Sequence, residues 1–438
     1  MDKEILDKYK KLGRGKWGKD LSVWKTMYLG ALTQMKDEEF TPLSELFLDV
    51  FLSIPKARRE GKPIIMHPFN CEPYIFHAMN ITPLMQETYS VALAPSHLNE
   101  YYIDITNKIG YGDNPTLCNA QRPLIGSYME GVAPIPDLLF YISTPCNSLA
   151  MNYQVFQNLT GVPTFNMDIP YWAYEKDSEF YDEKTIDYII TQTKDFINWL
   201  EKETNQKLDL EKLHQAMIWV NEARKYILEF NDLLKTIPCP VPSISGLANF
   251  FIMITRAGTP EGVKVAKWMR DTAADNVKNG IAGVPGEKIR IGWPYTHVFF
   301  DQELLPWIEE TFQGNVIMDL IGYYPVLPHD VSTMEKCYES IAKGTLDFSM
   351  VGSCRGPIEY YIDYVLNYVK DYKMDCVIFP LQFACKHAYL MTRVTAEAVR
   401  EETGLPTLIF GCDPYDSREV TSEEIRRKIS DFLTQVVM

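Results

Sequence analysis

Hydrophobic and polar positions change rhythm several times along the chain. Up to about Gly61, LSVWKTMYLGALTQM and PLSELFLDVFLSIPKARRE carry apolar residues at three- and four-residue spacing, which predicts helices. From KPIIMHPF through ETYSVALAP, DLLFYISTP and VPTFNMDIP, short apolar runs end in Pro, Asn or Asp and alternate with helical stretches, as strand–helix units do. KTIDYIITQTKDFINWLEKETNQ, LEKLHQAMIWVNEARKYILEFNDLLK and GVKVAKWMRDTAADNVKNGI then read as long amphipathic helices with charged outer faces. KIRIGW, GNVIMDL, DCVIFPL and LPTLIFG restore the alternation, which closes on the amphipathic SEEIRRKISDFLTQVV. The expected fold class is α/β, in four parts: a helical lead-in over 1–60, a first α/β domain over 61–180, a helical segment over 181–285 and a second α/β domain over 286–438. A ligand cleft belongs between the two sheets, at the carboxyl ends of their strands.

Charge and cysteine usage narrow the function classes. The chain has 438 residues with 58 Asp and Glu against 43 Lys and Arg, a formal net charge of −15. That balance argues against a nucleic-acid or anionic-membrane surface, because phosphate contacts need clustered cations. The first twenty residues are charged, and nowhere do 18 uncharged apolar residues run together, so the reading is cytoplasmic, without a membrane span. Nine cysteines, an odd number, point to reduced thiols or metal ligands over a disulfide framework.

Several familiar signals carry little. GRGKWG, from Gly13 to Gly18, matches GxGxxG but lacks the buried strand that a phosphate-binding turn requires. There is no P-loop and no HExxH helix, so the chain is not expected to hydrolyse ATP itself. His77, His297 and His387 sit in apolar or aromatic surroundings and read as hydrogen-bonded core imidazoles. YWAYEKDSEFYDEK reads as a solvated loop or lid rim. Asp413, Asp416 and Arg418 follow the last strand, where an Asp–Arg pair that fixes the loop and a ligand contact are equally open readings.

The chemistry rests on three cysteines outside any CxxC pair. Cys118 lies in TLCNAQRPLIGSYMEG, Cys146 in PDLLFYISTPCNSLAMNYQVF and Cys385 in DCVIFPLQFACKHAYLMTRVTAEAV, each read as opening a helix after a strand or turn. A helix N-terminus favours a thiolate and lowers its pKa. Three such thiolates converging on one iron–sulfur cube would leave one iron for a ligand other than cysteine. The competing reading is burial as small hydrophobes, which is how Cys71, Cys239, Cys337, Cys354, Cys376 and Cys412 are read.

Together these segments resemble the 2-hydroxyacyl-CoA dehydratase family, which includes the class I benzoyl-CoA reductases. Cys118 with Arg122 and Gly126, Cys146 before its long helix, and Cys385 followed by Gly404, Asp413, Asp416 and Arg418 carry the likeness, over nearly the whole chain. It implies two Rossmann-like domains and a [4Fe–4S] cluster held by Cys118, Cys146 and Cys385. It also implies a related second subunit and a separate ATP-hydrolysing iron–sulfur activator. The implied reaction removes water from a 2-hydroxyacyl-CoA through a ketyl radical, after one-electron activation, to give a 2-enoyl-CoA. The alternatives are a benzoyl-CoA reductase subunit and a non-catalytic electron-relay partner. The chain departs from the family near its first strand, where Tyr74 stands in place of a glutamate and Asn80 in place of a glycine. Tyr74, Glu72 and Arg122 are then the candidate catalytic groups, and Cys71 is either a fourth cluster ligand or a core thiol.

Overall fold

The computed structural model describes residues 41–112, 117–172, 179–243, 245–323 and 327–437. The predicted helix over 21–35 and the GRGKWG segment lie outside the described residues.

Two four-stranded sheets, both parallel throughout, form the frame. The first orders its strands β2-β1-β3-β4, with β1 at Ile64–His67, β2 at Thr82–Met85, β3 at Leu138–Ile142 and β4 at Thr164–Met167. The second orders them β6-β5-β7-β8, with β5 at Ile289–Trp293, β6 at Gly314–Asp319, β7 at Cys376–Gln382 and β8 at Thr407–Cys412. Both orders reverse direction between their first and third strands. That reversal opens a crevice beyond the carboxyl ends of β1 and β3, and of β5 and β7. β1, β3 and β5 are buried along their whole length, as expected for parallel strands covered on both faces.

One strand departs from the expectation. The apolar run ETYSVALAP holds the helix Thr88–Leu93, and the strand falls just before it, in TPLM. β2 lies at the sheet edge, where Pro83 forfeits no ladder hydrogen bond that the sheet needs.

The helices start where their caps dictate. Thr41 accepts from the backbone N–H of Ser44 to open Pro42–Glu60, and Gly61 closes it in the left-handed region at φ 69°. Asp182 and Asp209 cap Glu183–Thr204 and Leu210–Leu233 in the same manner. The apolar faces of Glu183–Thr204 and Leu210–Leu233, with those of Ser245–Arg256 and Pro260–Asn279, bury against one face of each sheet in a single core. Phe196 stacks on Phe140 of β3 at 4.3 Å between ring centroids. The helical middle of the chain thus packs against both sheets.

Hydrogen bonds across the α/β halves fix the facing loops. Asn99 donates to the Tyr415 carbonyl at 3.1 Å, and Asn119 donates to the Asp413 carboxylate at 2.9 Å. Arg418 pairs with Asp416 and reaches Asp104, so the Asp–Arg pairing that fixes this loop is present. At the described ends of the acidic aromatic run Tyr171 and Glu179 are exposed, as in a solvated rim, while Trp172 and Phe180 are docked. Trp172 bonds the Arg355 carbonyl through its backbone N–H, and Phe180 stacks on Tyr360. Among the described residues, no helix is long and apolar enough to cross a membrane.

Candidate active site

A cavity of about 640 Å³ lies at the carboxyl ends of both sheets. Met85 and Glu87 reach it from β2, Cys146 from β3, Tyr295 from β5, and Gln382 and Cys385 from β7. Cys118 completes the set, so all three sequence-predicted ligands line one cavity. Its remaining walls are mainly apolar and include Phe47, Phe230, Phe250, Phe251 and Trp268.

The local fold aims two of the thiols. Cys146 is the N-cap of Asn147–Thr160, and its sulfur accepts from the Leu149 N–H at 3.4 Å. Cys385 is the N-cap of Lys386–Thr403, with its sulfur accepting from Ala388 N–H at 3.5 Å. Cys118 corrects the expectation: it lies in a turn four residues before Arg122–Met129, whose N-cap is Gln121. Its sulfur accepts from the Ala120 N–H at 3.4 Å and from the Gln382 side-chain amide at 3.0 Å. Tyr295 donates to the oxygen of the same amide at 3.0 Å, so a chain of hydrogen bonds runs from β5 through β7 to Cys118.

The predicted lowering of the thiol pKa values is overturned. Burial pushes Cys146 up to about 12, and it raises Cys118 and Cys385 as well. The neighbouring thiols add to the rise at Cys118 and Cys146. The backbone amides oppose this but lose to the desolvation of the sulfurs. Three enclosed thiols that repel one another as thiolates fit a polycationic ligand. N–H donors on the sulfurs are what an iron–sulfur cluster requires around its cysteines. Among the described residues, no three His, Cys, Asp or Glu side chains converge closely enough for a single metal ion, and a four-iron cube spans more space than one ion. The donor set therefore fits the cluster.

The other sequence-predicted residues lie elsewhere. Glu72 pairs with Arg224 at 2.8 Å, both side chains nearly sealed from solvent, and it borders a small separate void with Cys71 and Tyr74. Tyr74 packs edge-on against His329, and burial raises its phenol far above the usual range. Neither Tyr74 nor Glu72 reaches the cysteine cavity. Cys71 donates to the Glu72 carbonyl and is likewise outside it. Arg122 is buried beneath the cavity wall, where it donates to Thr106, to Asn119 and to the Ile103 carbonyl. It holds Asn119, the partner of Asp413, and does not line the cavity. Asn80 occupies the left-handed region at φ 55°, which explains how asparagine serves where glycine is expected. His77 is half-buried and His297 buried, and they are hydrogen-bonded to the Thr255 carbonyl and to Asp319 respectively. His387 differs from expectation: it is half-buried in the cavity wall beside Lys386.

One group escaped sequence reasoning. Glu87 lines the cavity, and burial pushes its carboxyl up to about 7. Asp413, bonded by Asn119 and the Tyr415 N–H, is pushed up to about 7 by burial as well. Glu87 stands two residues beyond β2, at a strand's carboxyl end, and that position was the available signal. The misplaced strand hid it.

Fold and cavity together define an α/β protein in which three cysteines line one cavity at the carboxyl ends of two parallel sheets. The sequence model of the family described as "2-hydroxyglutaryl-CoA dehydratase, D-component" matches residues 71–436, and the chain belongs to that family. It is similar to the (R)-2-hydroxyisocaproyl-CoA dehydratase alpha subunit of Clostridioides difficile, 22% identical over 410 residues, spanning 90% of this chain and 95% of the relative. The lactoyl-CoA dehydratase subunit alpha of Anaerotignum propionicum is 21% identical over 392 residues, spanning 83% and 88%. The (R)-phenyllactyl-CoA dehydratase alpha subunit of Clostridium sporogenes is 23% identical over 252 residues, spanning 55% and 60%.

Proposed function

We propose that this chain is the iron–sulfur subunit of a 2-hydroxyacyl-CoA dehydratase, removing water from a 2-hydroxyacyl-CoA to give a 2-enoyl-CoA through a ketyl radical. The observation that carries the reading is the meeting of Cys118, Cys146 and Cys385, from loops of both sheets, in one apolar cavity. These residues would hold a [4Fe–4S] cluster, which when bound supplies one-electron transfer and a Lewis-acidic iron free of cysteine for the substrate oxygen.

The chain's own groups do the rest. Gln382 and the Ala120 amide orient Cys118, and the backbone amides of Leu149 and Ala388 orient the other two sulfurs. Apolar walls exclude water and accept an uncharged acyl group, since Lys386 is the one Lys or Arg among the described lining residues. The names of the relatives support a second, related subunit. Tyr389, Leu390 and Val394, exposed apolar residues on the helix opened by Cys385, offer it a surface. The electron would come from a separate ATP-hydrolysing iron–sulfur activator.

The test is anaerobic co-production with the neighbouring subunit and the activator, followed by an assay of 2-hydroxyacyl-CoA and benzoyl-CoA substrates. The reading expects enoyl-CoA from an uncharged 2-hydroxyacyl-CoA and no ring reduction. Ring reduction without dehydration would assign the chain to the benzoyl-CoA reductases.

A further inference from the structure

The three sulfurs are not served alike. Cys146 and Cys385 each take an N–H from the helix they cap, at 3.4 and 3.5 Å. Cys118 caps no helix and takes one turn amide, from Ala120, and one side-chain donor, Gln382, at 3.0 Å. That donor is held from behind: the Tyr295 phenol donates to the amide oxygen at 3.0 Å, which turns the NH2 end toward the sulfur. With the amide reversed, its oxygen would face the sulfur and the bond to Cys118 would be lost. Tyr295 is 6% exposed and Gln382 2%. The loop that carries Tyr295 is pinned on both sides, by the Tyr361 hydroxyl on the Pro294 carbonyl at 2.8 Å and by the Trp293 indole on the Thr296 carbonyl at 3.0 Å. Burial raises the Cys385 thiol, and hydrogen bonding by the same phenol opposes that rise. One hydroxyl thus serves two of the three sulfurs.

We propose that Tyr295 is a positioning residue that sets the reduction potential of this centre, by holding the Gln382 amide with its N–H on Cys118. This rests on the reading that Cys118, Cys146 and Cys385 hold an iron–sulfur cluster. Reduction by one electron adds a negative charge, and hydrogen bonds to the sulfurs are among the terms that set the potential of such a centre. An N–H aimed at a sulfur stabilises the added charge, and in apolar surroundings of low dielectric it does so more strongly than at a surface. The donors on Cys146 and Cys385 are backbone groups, fixed by the fold. The close donor on Cys118 is a side chain, so its aim depends on the phenol behind it. Tyr295 follows β5 and Gln382 ends β7, so the second sheet governs how a cysteine of the first α/β half carries charge. The pair makes an electron from a low-potential donor easier to accept.

The test measures midpoint potentials by EPR-monitored titration with Ti(III) citrate on the anaerobically purified full chain. Wild type, Tyr295→Phe, Gln382→Leu and the double variant are compared. Tyr295→Phe is expected to keep about four irons per chain. Its ratio of reduced to oxidised centre at a fixed potential should fall about tenfold, a shift of about 59 mV toward more negative values for a one-electron couple. Gln382→Leu is expected to shift the same way at least as far, because it removes the N–H itself. The double variant should fall short of the sum of the two single shifts, since the phenol acts through the amide. A fully loaded Tyr295→Phe with the wild-type potential, or single shifts that simply add, overturns the assignment. Tyr295→Phe that folds, by circular dichroism, but holds no iron also overturns it, because the hydroxyl would then serve retention and not potential. Wild type without iron sinks the cluster reading instead, and the assignment with it.

Discussion

The side-chain amide of Gln382, at the end of β7, donates to the sulfur of Cys118 at 3.0 Å across 264 residues of chain. It ties a cysteine of the first α/β half to the second sheet, and it answers a buried sulfur that has few donors. Replacing Gln382 by Leu keeps the volume and deletes the donor. We expect about 10- to 100-fold weaker cluster retention or activity, the usual effect of removing a partner of a metal ligand. Iron content after gel filtration at graded chelator concentrations measures it.

The Glu72–Arg224 pair is structural. With both side chains nearly sealed from solvent, Glu72→Gln leaves a buried guanidinium partly uncompensated and should cost about 3–5 kcal/mol of stability. Because Glu72 stands outside the cavity, the fraction that remains folded should keep kcat. Urea unfolding beside an activity titration separates the two effects, and a lost kcat at full folding would move Glu72 into the chemistry.

Gly126 marks a close helix crossing. A methyl group there would meet the Tyr102 carbonyl oxygen, within the helix Leu98–Lys108, at 2.2 Å. Backbone must therefore move, and Gly126→Ala should destabilise by about 1–3 kcal/mol or more. Thermal melting of the variant checks this.

Burial of Glu87 also predicts a pH dependence. Its folded pKa, about 7, lies above the ordinary carboxyl value of 4.5, so the folded state binds the extra proton between those limits. Its contribution to stability is therefore greatest below the unfolded pKa and falls as pH rises to about 7, by roughly 3 kcal/mol. His67 works the other way. Its folded pKa is depressed to about 4, so its contribution is lost as pH falls from 6.5. Wild type alone mixes these opposing slopes. The difference between Glu87→Gln and wild type isolates the acid, and the stability advantage of the variant should grow from pH 5 to pH 8.

Much of the frame was legible because parallel strands buried on both faces leave uninterrupted apolar runs. LLFYI and CVIFPLQ announced β3 and β7, and the cysteines after them followed from where such strands end. β2 was not legible, since the edge strand TPLM is short and holds a proline while the neighbouring TYSVAL looks more strand-like and folds as helix. That error concealed Glu87. The pKa direction at the cysteines was missed for a different reason: a sequence shows the helix start but not how completely the cavity encloses the sulfur. Tyr74 and Glu72 were placed by the likeness to the family. Packing turns them toward Arg224 and His329, away from the cavity.

The central claim is that Cys118, Cys146 and Cys385 hold one [4Fe–4S] cluster, and its most direct test is iron and sulfide analysis of anaerobically purified protein with EPR after one-electron reduction. The account predicts about four irons and four sulfides bound per chain, lost when any of the three cysteines is replaced by Ala and retained in Cys71→Ala. Iron-free protein under strict anaerobiosis, or a cluster that survives the Cys118→Ala replacement, would contradict it.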